Sequence, residues 1–201
     1  MSNRSAGQEN RGEIVCAVLL AAGSGSRFGD PTHKLLAELR GQPVYRWALD
    51  AVLRAGLDHV VVVTGAADLD LPDTVREVHN DRFAEGQATS LQCGVQAATE
   101  LGADALIVGL ADQPFVTTEG WRAVADSPAE IAVATYDGQR ANPVLFRRPI
   151  WSLLPSEGDQ GARSLIALRP ELVSEVACPG SFADIDTMED LQQWNSSTNS
   201  P

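Results

Sequence analysis

Three charged residues stand where their chemistry could serve a polyphosphate. The segment Ile14–Lys34 reads IVCAVLLAAGSGSRFGDPTHK and carries Arg27 and Lys34 behind a glycine-rich stretch. Small residues and glycines let a backbone approach a ligand and aim its N–H groups at anionic oxygens. Two cations beside such a loop make a phosphate cradle; the plainer alternative is a strand-to-helix turn with surface cations. Asp112 follows the apolar run Ala105–Leu110 in the string ALIVGLADQP. A carboxylate at the carboxyl end of a sheet strand lies where open α/β folds bind ligands, and it can hold Mg²⁺ on a triphosphate. Its alternative is an ordinary turn aspartate before Pro114.

Two common phosphate motifs do not fit. A Walker A loop ends in Lys-Ser or Lys-Thr, and GSGSRFG at 23–29 is followed by neither. A dinucleotide fingerprint needs G-x-G-x-x-G opening a helix. Gly23, Gly25 and Gly29 are spaced one residue too far, and Phe28-Gly29-Asp30-Pro31 does not read as helix.

The elements that must position these residues follow from apolar patterning. Uncharged runs rich in branched side chains predict buried strands of a parallel sheet at 14–20, 59–64 and 105–110. Val44, Trp47, Ala48, Ala51, Val52 and Ala55 recur at helical spacing, with Pro43 in the first turn and Gly56 just past the end. Strand, helix and strand within about 50 residues form a βαβ unit with a right-handed crossover. Further helices are predicted at 89–100, 117–126, 149–154 and 163–168, and strands at 75–78, 131–135 and 172–176. Gly94 permits close packing in the first of these helices. Ser90, in its first turn, can cap the helix or contact a ligand at its N-terminus. Thr187 and Asp190 form a variant capping box.

Bulk properties bound the rest. The 201 residues are 44% hydrophobic, which suits one α/β domain. The predicted domain spans 13–195, flanked by disordered tails at 1–12 and 196–201. No run approaches the ~20 apolar residues that span a bilayer, and the polar N-terminus is no secretory signal. Cys16, Cys93 and Cys178 are scattered and odd in number, which fits core packing in a reducing cytoplasm. A formal net charge of −12 argues against nucleic-acid and anionic-membrane partners.

LAAGSGSRFG followed by Lys34 resembles the signature of the MobA-like nucleotidyltransferases, and the likeness runs over about residues 14–194. It implies an α/β, three-layer domain with a mostly parallel, Rossmann-like sheet of the nucleotide-diphospho-sugar transferase type. It implies nucleotide binding by Leu20, Ala21, Ala22, Gly23, Gly25 and Ser26, with Arg27, Lys34 and Asp112 as catalytic residues. N…EGQATSLQCG resembles the family's nucleoside segment, so Asn80, Gly86, Ser90 and Leu91 are expected to line that side. Asp186, in DIDTMED, resembles the family's second metal-binding aspartate; on its own terms it is favourable charge at a helix N-terminus. Asp184 is the weaker ligand candidate. Mg²⁺ would therefore sit on Asp112 and Asp186. NPVLF and GDQGAR resemble acceptor-side segments and assign Asn142, Pro143, Asp159 and Arg163 to acceptor binding.

The implied reaction is attack by an acceptor phosphate on the α-phosphorus of an NTP. The acceptor is already anionic, so no catalytic histidine is expected, and His33 beside the loop is read as a hydrogen-bonding residue only. LAAG, DQP, NPVLF and GDQGAR look most like the molybdenum cofactor cytidylyltransferases, which implies CTP, the molybdenum cofactor as acceptor and a molybdoenzyme maturation partner. Two features depart from the pattern. Arg27 and Lys34 are seven positions apart, a two-residue expansion, and Asn142 stands where many relatives carry Gly and His before the proline. The rival readings are a transferase for another NTP and a sugar-phosphate or other cofactor-precursor acceptor, and a catalytically silent nucleotide- or partner-binding domain.

Overall fold

The computed structural model describes residues 12–29, 32–159 and 161–196. Apart from Gly12 and Ser196, the expected tails lie outside the described residues, as do Asp30 and Pro31 of the expanded loop segment.

Seven strands form one sheet: β1 (Val15–Ala21), β4 (His59–Thr64), β5 (Arg76–His79), β6 (Ala105–Leu110), β7 (Ile131–Tyr136), β8 (Gln139–Arg147) and β9 (Val173–Ala177). Their order is β5-β4-β1-β6-β8-β7-β9. Only β8 runs against the others, antiparallel to β6 and β7. Its reversal follows from the tight turn at Asp137–Gly138, where both residues take positive φ, 49° and 79°. That conformation matches a two-residue hairpin and suits Asp-Gly. A short pair, β2 (Glu38–Leu39) and β3 (Gln42–Pro43), lies apart from the sheet.

Alternation along β1 sorts the two faces. Val15, Ala17, Leu19 and Ala21 enter one core, with α1 (Val44–Ala55) and α3 (Thr118–Ala125). Cys16, Val18, Leu20 and Ala22 enter the other, with α2 (Gln87–Glu100) and α4 (Arg163–Leu168). A strand buried on both faces is what an uninterrupted apolar run encodes. Burial pushes the Cys16 thiol up to about 12, so it packs as a small hydrophobe. Gly94 lets α2 lie on β1: a Cβ there would fall 2.5 Å from Val18 Cγ1.

A third cluster joins Phe28, Leu39, Val44, Phe115, Ile185 and Leu191. Trp194 of α5 (Met188–Ser196) packs on it, with its ring centroid 3.9 Å from that of Phe115. The expected capping box is present: Asp190 N–H donates to Thr187 Oγ1 at 3.1 Å, and Thr187 N–H to Asp190 Oδ2 at 2.8 Å.

Several boundaries differ from the sequence reading. Helix α2 starts at Gln87, two residues early, because Gly86 at φ 117° breaks the preceding turn. Pro43 caps α1 from outside the helix, at ψ 144°. The segment predicted as a helix from Pro149 is a 3-10 run, Arg148–Leu153. Ser196, assigned to the C-terminal tail, is the last residue of α5.

Candidate functional site

Leu20 of β1 is in register with Leu110 of β6, so the segments leaving the two strands emerge side by side. They open onto a cleft of about 650 Å³. Leu20, Ala21, Ala22, Gly23, Gly25, Ser26, Arg27, Lys34, Gly86, Ser90, Asp112, Asp159 and Asp186 all line it. The segment after β1 keeps its small residues for steric reasons. Gly25 has φ 63°, and a Cβ on it would lie 3.2 Å from His33 Nε2 and 3.3 Å from Lys34 Cγ.

Four charges converge at one end of this cleft. Lys34 Nζ donates to Asp112 Oδ2 at 2.6 Å and to Asp186 Oδ1 at 2.7 Å. Arg27 Nη1 lies 3.1 Å from Asp186 Oδ2. Lys34 is buried whereas the Arg27 side chain is 78% exposed. Burial alone would lower the Lys34 pKa, but the charges and hydrogen bonds of Asp112 and Asp186 outweigh it and hold the ammonium above its ordinary value. Asp112 Oδ1 is buried without a hydrogen-bond partner. An orphaned carboxylate oxygen is costly and marks a position that a cation would satisfy. Among the described residues no three His, Cys, Asp or Glu side chains group as a metal cage. Two carboxylates fit Mg²⁺, which takes one or two protein carboxylates and fills its shell with water and substrate phosphate oxygens.

The backbone brings residues 74 positions apart together. Ile185 N–H donates to the Asp112 carbonyl at 2.9 Å, so Asp186 sits beside Asp112. Gln113 reinforces this join: its Nε2 donates to Asp184 Oδ1 at 2.8 Å and to the Phe182 carbonyl at 3.2 Å. Burial and the nearby Asp112 charge hold the Asp184 carboxyl above the usual carboxylate range. Beneath lies the third apolar cluster, in which Phe28, Phe115 and Ile185 each belong to a segment bearing one of the site charges. Fully burying one such side chain is worth about 1.5–3 kcal/mol, enough to anchor a loop whose own small residues bury little. His33 fastens the other flank. Its Nδ1 accepts from Leu35 N–H at 3.2 Å, so Nε2 carries the proton and donates to the Gly23 carbonyl at 2.8 Å.

The expected nucleoside lining is corrected in part. Ser90 lines the cleft and does not cap α2: it accepts from Asn80 Nδ2 at 2.9 Å. Asn80 is buried behind the wall, where its amide also donates to Thr89 Oγ1 and its carbonyl accepts from Arg82 N–H. It braces the lining rather than forming it, because its polar atoms are spent inward. Leu91 is a core residue facing a smaller neighbouring cavity. Phe83, Ala84 and Gln87 line the cleft as well; only their place between Asn80 and Leu91 pointed to them.

The acceptor-side residues do not stay together. Asn142 and Arg163 line the smaller cavity, which shares Leu20, Gln87 and Leu110 with the cleft. Asn142 Nδ2 donates to Gln113 Oε1 at 3.2 Å. Pro143, joined to Asn142 by a cis peptide bond, lines neither space. Asp159 lies on the other side, against Gly86: a Cβ on Gly86 would meet Asp159 Oδ1 and the Gly158 carbonyl, both at 2.7 Å. The reason is local. Ala88 N–H, unpaired within the first turn of α2, donates to the Gly158 carbonyl at 3.0 Å and draws this loop to the helix start.

A mostly parallel sheet with a glycine-rich segment after β1, and two aspartates brought together from the segments that follow β6 and precede α5, is the arrangement of the nucleotide-diphospho-sugar transferase fold. Residues 17–176 match the MobA-like NTP transferase domain, and the chain belongs to that family. It is 31% identical to the purine catabolism protein PucB of Bacillus subtilis (strain 168) over 197 residues, covering 90% of this chain and 95% of the relative. Among solved structures it is similar to a nucleotidyl transferase from Methanothermobacter thermautotroptrophicus, Mth528, with a TM-score of 0.78 and 25% identity, covering 90% of this chain and 96% of that one. It is also similar to Rv0371c from Mycobacterium tuberculosis H37Rv in complex with manganese, with a TM-score of 0.72 and 27% identity, covering 92% of this chain and 100% of that one.

Proposed function

We propose that residues 13–195 form an Mg²⁺-dependent domain that transfers NMP from an NTP, with CTP favoured, to a phosphorylated acceptor, the molybdenum cofactor. The observation that carries the reading is the convergence of Arg27, Lys34, Asp112 and Asp186 beside the glycine-rich segment. A silent binding platform has no need of two carboxylates aimed at one cation. The choice of CTP and of the molybdenum cofactor rests on the likeness of LAAG, DQP, NPVLF and GDQGAR to that branch. A maturation partner among molybdoenzymes and a cytoplasmic setting belong to the same reading. The described residues contain no helix long and apolar enough to cross a membrane.

In this reading an oxygen of the acceptor phosphate attacks the α-phosphorus. The bond from that phosphorus to the bridging oxygen breaks, and pyrophosphate leaves with the electron pair. The backbone N–H groups of residues 22–26, with Arg27 and Lys34, bind the β- and γ-phosphates and meet the charge that develops on the leaving group. Asp112 and Asp186 would hold Mg²⁺, which when bound supplies electrostatic clamping of the substrate oxygens. Ser90, Gly86 and Asp159 form the wall for the nucleoside, and Asn142 and Arg163 face the acceptor. Holding two anions in line supplies much of the rate.

The test is a turnover matrix of CTP, GTP, ATP and UTP against the molybdenum cofactor and candidate sugar or polyol phosphates, read as pyrophosphate release. CTP with the molybdenum cofactor is expected to lead. Asp112→Asn should lower turnover by at least about a hundredfold, as expected when charge stabilisation of a transition state is lost, with its circular dichroism unchanged. Wild-type turnover in this variant would remove Asp112 from the machinery.

A further inference from the structure

The cation that holds Asp112 and Asp186 together is part of the chain itself. Lys34 Nζ bridges one oxygen of each carboxylate, at 2.6 and 2.7 Å. The bridge is sheltered: the Lys34 side chain is 11% exposed, and those of Asp112 and Asp186 are 19% and 26% exposed. Arg27 takes the second oxygen of Asp186 from the solvent side, and the second oxygen of Asp112 has no partner. Mg²⁺ binds carboxylate oxygens at about 2.0–2.1 Å. An ammonium and a divalent cation on the same two carboxylates would face each other across a few ångströms of a partly buried site, where repulsion is weakly screened.

We infer that Lys34 is the resident counter-ion of the Asp112–Asp186 pair and is displaced from it when a divalent metal binds, so that the lysine competes with the metal rather than helping to hold it. The inference rests on the metal reading given above and adds a switch to it. Displaced from the carboxylates, the side chain has somewhere to go: its Cγ already lies along Gly25 of the phosphate-binding segment. One residue then serves two states. In the first it keeps two aspartates from repelling each other; in the second it is free to meet an anion at the glycine-rich segment.

Removing the lysine gives an effect opposite in sign to that of an ordinary site residue. Lys34→Met should bind Mg²⁺ alone, in calorimetry without nucleotide, at least about tenfold more tightly than wild type, since a competing charge at short range is gone. In saturating Mg²⁺, where the wild-type lysine has left the carboxylates, the same variant should bind inorganic triphosphate more weakly. Unchanged or weaker Mg²⁺ affinity in a folded Lys34→Met would overturn the inference while leaving the metal reading intact. Absence of Mg²⁺ binding by both proteins would instead remove the metal reading, and the inference with it. Because the variant leaves Asp112 without a counter-ion and Asp186 with the exposed Arg27 alone, its folding can suffer, and the wild-type protein supplies a second readout. The Lys34 Cε–Hε NMR resonance should move on titration with Mg²⁺ alone, and a resonance that stays put through Mg²⁺ saturation would overturn the displacement.

Discussion

At the scale of single residues, the site is held by side chains whose chemistry is ordinary and whose placement is not. His33 illustrates the point. It lies one position before Lys34, and with Nδ1 accepting from Leu35 N–H its Nε2–H is fixed toward the Gly23 carbonyl. This ties the glycine-rich segment to the turn that carries the lysine, across ten residues that include the expanded stretch. His33→Ala should lower stability by about 1 kcal/mol, the usual net worth of such bonds. It should also weaken NTP affinity several-fold, with turnover at saturation changed less. Denaturant unfolding and nucleotide calorimetry check the two effects separately, and unchanged nucleotide affinity would confine His33 to a structural role. That His33 hydrogen-bonds beside the loop was legible from its position next to Lys34. The pairing of Lys34 with Asp112 and Asp186 was not, since partners 78 and 152 positions away are joined by loop geometry that leaves no periodic trace.

At the scale of elements, the strands were legible and the loops between them were not. A fully buried strand writes itself as an uninterrupted apolar run, and β1, β4 and β6 lie within a residue of the positions read from such runs. The direction of β8 was implicit in the Asp137–Gly138 turn, yet a sheet described as mostly parallel does not say which strand is reversed. Asp159 shows the limit most clearly. Its string suggested the acceptor side, but Ala88 N–H draws the Gly158 carbonyl to the start of α2 and carries Asp159 to the wall near Gly86. Gly86 is what allows this join. It has φ 117° and no space for a Cβ against the Gly158 backbone, so a side chain there is both strained and blocked. Gly86→Ala should cost about 1–3 kcal/mol through strain and overpacking. It should also push the loop that carries Gly158 and Asp159 off α2, weakening NTP binding more than binding of pyrophosphate. Equal losses for the two ligands, measured by calorimetry, would show that the wall near Gly86 contributes nothing to nucleoside contact.

At the scale of the whole molecule, the charge distribution sets how an anionic substrate arrives. The chain carries a formal net charge of −12. Among the described residues the charged groups lining the cleft are Arg27, Lys34, Asp112, Asp159 and Asp186, two positive against three negative. Neither the global nor the local field therefore attracts an NTP, whose magnesium complex is itself an anion. The cations act only at contact distance, once Lys34 has been released from its carboxylates, so selectivity for the metal-loaded nucleotide comes from the site rather than from long-range steering. Like charges that meet through solvent repel less as salt rises, because the screening length falls from about 30 Å at 0.01 M to about 8 Å at 0.15 M. The association rate constant of a fluorescent Mg²⁺-nucleotide, followed by stopped flow, should therefore increase over that range, by roughly two- to tenfold. Enzymes that steer substrates electrostatically show the reverse. A steep fall with salt would mean that Arg27 and the backbone N–H groups of the glycine-rich segment project a positive field beyond the cleft mouth, and that the acidic surface lies too far from it to matter.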